Sequence, residues 1–205
     1  MARIDDYEQA RKIAIDSLAN TDFIQLQQRA GFTKNSNDTA MFVPFLDRVF
    51  IIEFPSFEFT DYESESKEVP IQEQVLILHY LKAEAFPSPT GRWVSYREIP
   101  GATFYYSAFL SRAVDPLKKV FGYNIEGLKK AAEKLQGRQS DTGDAAYEFN
   151  PFPKIPLMMT IWKGDDDFPP EANMVFDETI GRILSPEDIA WMAGMLVYRL
   201  MALSR

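Results

Sequence analysis

Apolar residues recur along this chain with two periods, one near 3.6 residues and one near two, and the alternation of those periods outlines the fold. Tyr7, Ala10, Ala14 and Leu18 stand at helical spacing with Arg11, Lys12 and Asp16 between them, which predicts a first helix. A shorter helix is expected from Asp22 to Ala30, with Gly31 as its stop. Met41 to Phe45, Val49 to Phe54 and Phe57 to Phe59 are dense in aromatic and β-branched residues, and a turn is expected at Asp47-Arg48. They read as antiparallel strands.

The stretch Asp61 to Glu68 is acidic, carries serines and has no apolar period, so an exposed loop ending at Pro70 is expected. From Ile71 to Ala85 the apolar positions, among them Val75, Leu76, Leu78 and Leu81, cover most of the circumference and predict a deeply packed helix. Arg92 to Gly101 has no clear period, and Pro100-Gly101 closes it as a turn. A helix is expected from Ala102 to Val120, with Pro116 able to kink or split it, and another from a cap at Asn124 to Leu135, closed by Gly137.

Ala145 to Phe149, Ile155 to Lys163 and Asn173 to Phe176 predict further strands, and the prolines in Asn150-Pro151-Phe152-Pro153 require an edge, a bulge or a loop. The last helix has the clearest start: Ser185 as cap, Pro186 in its first position and Asp188 three residues after the serine. Its apolar face runs Ile189, Met192, Leu196, Val197, Leu200 and Leu203. That methionine-bearing stripe reads as core, or else as a grip for a partner or a second copy of the chain.

These elements give an α+β fold, with an antiparallel or mixed sheet of about five to six strands against about five to six helices. A single domain spanning 1–205 is expected, with a helical segment over 1–31 and an α+β core over 40–205. The 30 acidic and 22 basic residues leave a net charge of −8, and no basic stripe gathers on one face, which argues against nucleic acid as a partner. Another protein or a small molecule is the expected partner.

The chain has no cysteine, so it can supply no thiol nucleophile, no thiolate zinc site and no self-ligated iron–sulfur cluster. The charged first residues and the short apolar runs predict a cytoplasmic protein that does not enter a membrane. No phosphate-cradling glycine loop, dinucleotide fingerprint or nucleophile elbow occurs. The single histidine, His79, sits in an apolar run and reads as a hydrogen-bonded core residue.

Two segments carry candidate chemistry. In Arg92-Trp93-Val94-Ser95-Tyr96-Arg97-Glu98, continuing to Phe104-Tyr105-Tyr106, rings and arginines interleave, as in a wall that stacks a ligand while a guanidinium grips an anion. The same pattern also suits packing round a turn. Asp165, Asp166, Asp167 and Glu171, beside Trp162, could hold magnesium or calcium through oxygen ligands, or form an exposed turn in which one aspartate caps its neighbours. The candidate ligand set is therefore Trp93, Tyr96, Arg97, Tyr105 and Trp162, and the candidate metal set Asp165, Asp166, Asp167 and Glu171.

Leu76-Ile77-Leu78-His79-Tyr80-Leu81, Trp93-Val94-Ser95-Tyr96-Arg97-Glu98-Ile99-Pro100-Gly101, Phe121-Gly122, Pro153-Lys154-Ile155-Pro156-Leu157 and Asp167-Phe168-Pro169-Pro170-Glu171-Ala172, running on to Phe176-Asp177, resemble blocks of the bacterial and archaeal domain-of-unknown-function family 3786. The resemblance covers the chain from about residue 70 onward and, more loosely, what precedes it. It implies no particular activity. It does imply company with anaerobic redox or corrinoid proteins bearing iron–sulfur segments, from which this cysteine-free chain departs.

The leading expectation is a noncatalytic small-molecule-binding or protein-binding accessory domain. A divalent-cation-dependent hydrolase or lyase using the acidic turn is one alternative. A structural interaction protein dimerising through its C-terminal helix is the other.

Overall fold

The computed structural model describes residues 4–64 and 68–205. Of the expected loop Asp61 to Glu68, Glu65, Ser66 and Lys67 lie outside the described residues, as do the first three residues of the chain. The chain forms two compact units, Met1–Pro87 with Arg182–Leu184, and Ser88–Gly181 with Ser185–Arg205.

In the first unit, α1 (Ile4–Leu18) and α2 (Phe23–Ala30) form where helical spacing predicts them. Asp22 caps α2 by accepting the Gln25 amide, and Gly31 ends it at φ +78°, a left-handed conformation that glycine adopts without steric cost. Strands β1 (Thr33–Lys34), β2 (Ala40–Phe45), β3 (Arg48–Glu53) and β4 (Phe59–Asp61) pair antiparallel in chain order.

The β2–β3 hairpin turns on Leu46-Asp47, one residue before the expected position, because Phe45 and Arg48 close the ladder. Arg48 is anchored there from outside the hairpin. Its Nη2 donates to Asp61 at 2.7 Å, its Nη1 donates to Glu73 at 2.9 Å, and its guanidinium lies 4.6 Å from the centre of the Phe50 ring. Helix α3 (Ile71–Leu81) buries Val75 to Leu78, Tyr80 and Leu81, as its all-round apolar sequence requires. It stops short of the expected Ala85, and the Ala83 and Glu84 carbonyls accept from Arg29 instead.

The second unit opens with β5 (Trp93–Ser95) and two 3-10 turns, Tyr96–Glu98 and Ala102–Tyr105. The helix expected from Ala102 to Val120 is segmented into α4 (Tyr106–Phe109), a π turn (Leu110–Val114) and α5 (Asp115–Phe121). Pro116 has no amide hydrogen to offer the carbonyl four residues back, so an ordinary helical ladder cannot pass through it. The ladder widens just before the proline, and the Asp115 amide reaches back to the Leu110 carbonyl.

After α6 (Ile125–Lys134) come β6 (Arg138–Ser140), β7 (Ala145–Phe152), β8 (Ile155–Trp162) and β9 (Glu171–Asp177), and finally α7 (Pro186–Leu203). The strands form a five-stranded antiparallel sheet in the order β5-β9-β8-β7-β6. β7 runs on through Asn150-Pro151 with a register shift between Phe149 and Phe152, the bulge that the proline's missing amide demands.

The α+β class therefore holds, with all ladders antiparallel and the strands divided between two sheets instead of one. In the second unit α5 packs on β9, α6 packs on β7, and α7 runs against α4, α5 and α6. The stripe of α7, read from the sequence as core or else as a grip for a partner or a second copy, packs in this unit's core at Ile189, Met192, Leu196, Val197 and Leu200, all buried. Each such side chain contributes roughly 1.5–3 kcal/mol by leaving water. No helix of the described residues is long and apolar enough to cross a membrane.

Candidate functional site

Strand β9 organises the chemistry of the second unit because both candidate segments attach to it, one at each end. At its C-terminal end Trp93 pairs with Asp177, and at its N-terminal end Trp162 pairs with Glu171. The six residue steps between those pairs span roughly 20 Å at the strand rise. Side-chain alternation places Trp93, Trp162 and Glu171 on the same face of the sheet.

The C-terminal end is a tightly bonded knot. The Asp177 carboxylate is 1% exposed and accepts from the Thr90 and Gly91 amides at 2.9 and 2.7 Å on one oxygen, and from the Thr179 amide and hydroxyl at 3.0 and 2.6 Å on the other. Burial opposes its charge, but the hydrogen bonds from Thr179, Gly91 and Thr90 outweigh burial and hold the carboxyl below the usual carboxylate range. Arg92 pairs with Glu178 at 3.0 Å on the surface of the knot. This arrangement fixes the loop that delivers β5 to the sheet.

Beyond β5, Glu98 accepts the Ser95 amide in a capping box that sets the first 3-10 turn. Tyr96 turns inward and is buried: its ring stacks on Phe109 at 4.3 Å and its hydroxyl donates to the Pro186 carbonyl at 2.7 Å. Burial pushes its phenol up to about 12. Arg97 stays exposed, its guanidinium 3.9 Å from the centre of the Tyr106 ring. The charge of Glu187 raises the Tyr105 phenol, and Phe104, 84% exposed, stands against Tyr105 edge to face.

The structure thus gathers Tyr96, Arg97 and Tyr105 around one turn and gives them different tasks. Tyr96 is core, with its hydrogen bond already made, while Arg97 and Tyr105 face outward. Trp93 lies at the start of β5, next to the same turn, and Trp162 stands at the far end of β9.

At that far end, Asp165 spends its carboxylate within its own turn, one oxygen accepting the Asp167 and Phe168 amides at 2.9 and 2.8 Å. The turn is seated on the loop after α5. The Gly164 amide donates to the Gly122 carbonyl at 3.0 Å, and a Cβ at Gly164 would lie 2.7 Å from the Tyr123 ring. Pro170 covers Gly122, where a Cβ would come within 2.4 Å.

Asp166, Asp167 and Glu171 are exposed, and among the described residues no three His, Asp or Glu side chains are gathered as a metal cage needs. Asp165 caps the turn, and Glu171 stands in the ladder opposite Trp162. Around them three large rings remain in solvent: Trp162 at 41%, Tyr123 at 63% and Phe168 at 71%. His79 lies half-buried on α3 in the other unit.

Sequence reasoning missed the role of Asp177 and missed Tyr123 and the Arg48–Asp61–Glu73 network. Asp177 carried a weak signal, an aspartate two residues before a threonine at the start of a helical turn, but its partners Thr90 and Gly91 are remote in sequence. Tyr123 and the Arg48–Asp61–Glu73 network gave no sequence signal at all.

No curated protein and no solved structure matches the chain. The model of a family described as a domain of unknown function, DUF3786, matches residues 22–199, a span that takes in both the aromatic–arginine turn and the acidic turn and extends well before residue 70. On the strength of that match the chain belongs to the DUF3786 domain family.

Proposed function

We propose that this protein is a noncatalytic accessory domain that binds another protein through the rim at the N-terminal end of β9. The observation that carries the reading is the exposure of Tyr123, Trp162 and Phe168 at 63, 41 and 71% around a turn pinned by hydrogen bonds and close glycine contacts. Rings on a preordered surface lose little side-chain entropy on docking and bring a large apolar area, which is why aromatic residues dominate the energetics of protein interfaces. Rings this exposed suit a protein surface better than they suit an enclosed small-molecule pocket.

The test is site-specific photo-cross-linking in cells with a benzophenone amino acid placed at residue 168, against the same probe at the exposed Gln139 on β6. A discrete adduct from position 168 and none from position 139 supports the reading. Equal labelling from both positions, or no adduct from position 168, defeats it.

A further inference from the structure

The chemistry of the partner can be read from what surrounds the rim. Trp162, Phe168 and Tyr123 border a turn that carries Asp165, Asp166, Asp167 and Glu171, and the Asp144 carboxylate joins them by accepting the Lys163 amide at 2.7 Å. Five carboxylates thus gather at the turn beside Lys163, with Asp165 accepting the Asp167 and Phe168 amides and Asp144 the Lys163 amide. The outer faces of exposed indole and phenyl rings attract cations through their quadrupoles, and arginine and lysine are the side chains that satisfy a ring face and a carboxylate together. Neither an apolar helix nor an acidic segment satisfies that combination: the first leaves the carboxylates desolvated, the second is repelled.

We infer that the rim of Tyr123, Trp162 and Phe168 seats a lysine- and arginine-bearing segment of a partner protein, the cationic side chains lying over the rings with their charges toward Asp166, Asp167 and Glu171. This rests on the protein-binding reading and specifies the partner's charge. The cluster does not depend on the core of the unit, so it can be altered without unfolding it: Asp166 and Asp167 are exposed, and their replacement leaves the Asp165 turn bonds in place.

The experiment is a titration of the isotope-labelled full chain with a short end-blocked peptide of lysine, arginine and glycine, followed by amide NMR, with a glutamate–glycine peptide of equal length as control. The expected result is a set of shifts confined to Tyr123, Lys163, Gly164 and Phe168 with the basic peptide only, weakening as salt is raised. Asp166→Asn with Asp167→Asn is expected to weaken the interaction about 3- to 10-fold, and Phe168→Ala by a similar factor. Equal response to both peptides, shifts elsewhere, no shift at millimolar peptide, or an unchanged affinity in the asparagine variant would overturn the inference. So would shifts of these amides that follow protein concentration without peptide, which would make the rim a contact between copies.

If the residue-168 cross-link forms but the basic peptide does not bind, the accessory-domain reading stands and the basic partner falls.

Discussion

Asp177→Asn is the most informative single perturbation of the fold, because it keeps the shape of the side chain and changes only its charge and half of its acceptor capacity. The wild-type carboxylate accepts the Thr90 and Gly91 amides, with the Thr90 hydroxyl at 3.4 Å, on one oxygen and the Thr179 amide and hydroxyl on the other. An asparagine keeps one acceptor oxygen. If that oxygen stays with Thr179, its NH2 group faces two amide donors in a site that is 1% exposed.

Losing two charge-assisted hydrogen bonds of about 1.5–3 kcal/mol each, with some relaxation of the loop, gives a net cost of about 3 kcal/mol. That corresponds to a fall in Tm of roughly 6–12 °C for a protein of this size. Trp93, Trp162 and Trp191 all belong to the second unit, so tryptophan fluorescence during urea or thermal unfolding reports that unit.

The pH dependence gives a second and independent reading. A carboxyl held below its ordinary value contributes stability that is fully present above the unfolded pKa of about 3.9 and disappears as pH falls through the lower folded value. The gap between wild type and Asp177→Asn is therefore expected to be widest at neutral pH and to narrow steadily below about pH 4. A cost under about 0.5 kcal/mol at neutral pH, the range of an ordinary surface substitution, would refute the knot as a stabilising element. A gap that stayed constant into acid would refute the assignment of the effect to the charge.

Two further outcomes are expected. Arg48→Leu leaves Asp61 buried without its guanidinium and is expected to destabilise the first unit by about 3 kcal/mol, the usual result of removing one partner of a buried ion pair; faster hydrogen exchange across β3 and β4 checks it, and unchanged protection there would contradict it. Gly122→Ala drives a methyl group into Pro170 and is expected to cost about 2–3 kcal/mol by overpacking. It should also shift the emission of Trp162, two residues before the Gly164 that bonds Gly122, and an alanine variant with wild-type stability and spectrum would show that the acidic turn is not seated on that glycine.

The periodicity of apolar residues determined most of the helices, as well as strands β2, β3 and β8, because each buries a face whose spacing is local and repeated. Caps at Asn124 and Ser185 were legible for the same reason, since each side chain accepts an amide only three residues away. Even the proline at 151 announced its bulge and the one at 116 its broken helix, as a missing amide hydrogen is a property of the residue itself.

Only the tertiary structure decided the rest. The strands divide into two sheets because pairing is a long-range choice that a period-two pattern leaves open, and β1, β5 and β6 are too short to show a period at all. The methionine stripe of α7 carries the same sequence whether it meets a partner or its own unit, and the packing of α4 to α6 against it is what made it core.

The candidate residues were legible as a list but not as a place. Tyr96 looked like part of a ligand wall and is a buried, hydrogen-bonded support. Asp165, readable as a cation ligand or as a capping residue, caps a turn. Asp177, which the chain presents as one acid among many, is locked by an amide 87 residues away in sequence. Charge and ring chemistry belong to the residue, but which of its atoms stay free for a partner depends on neighbours brought together only by folding.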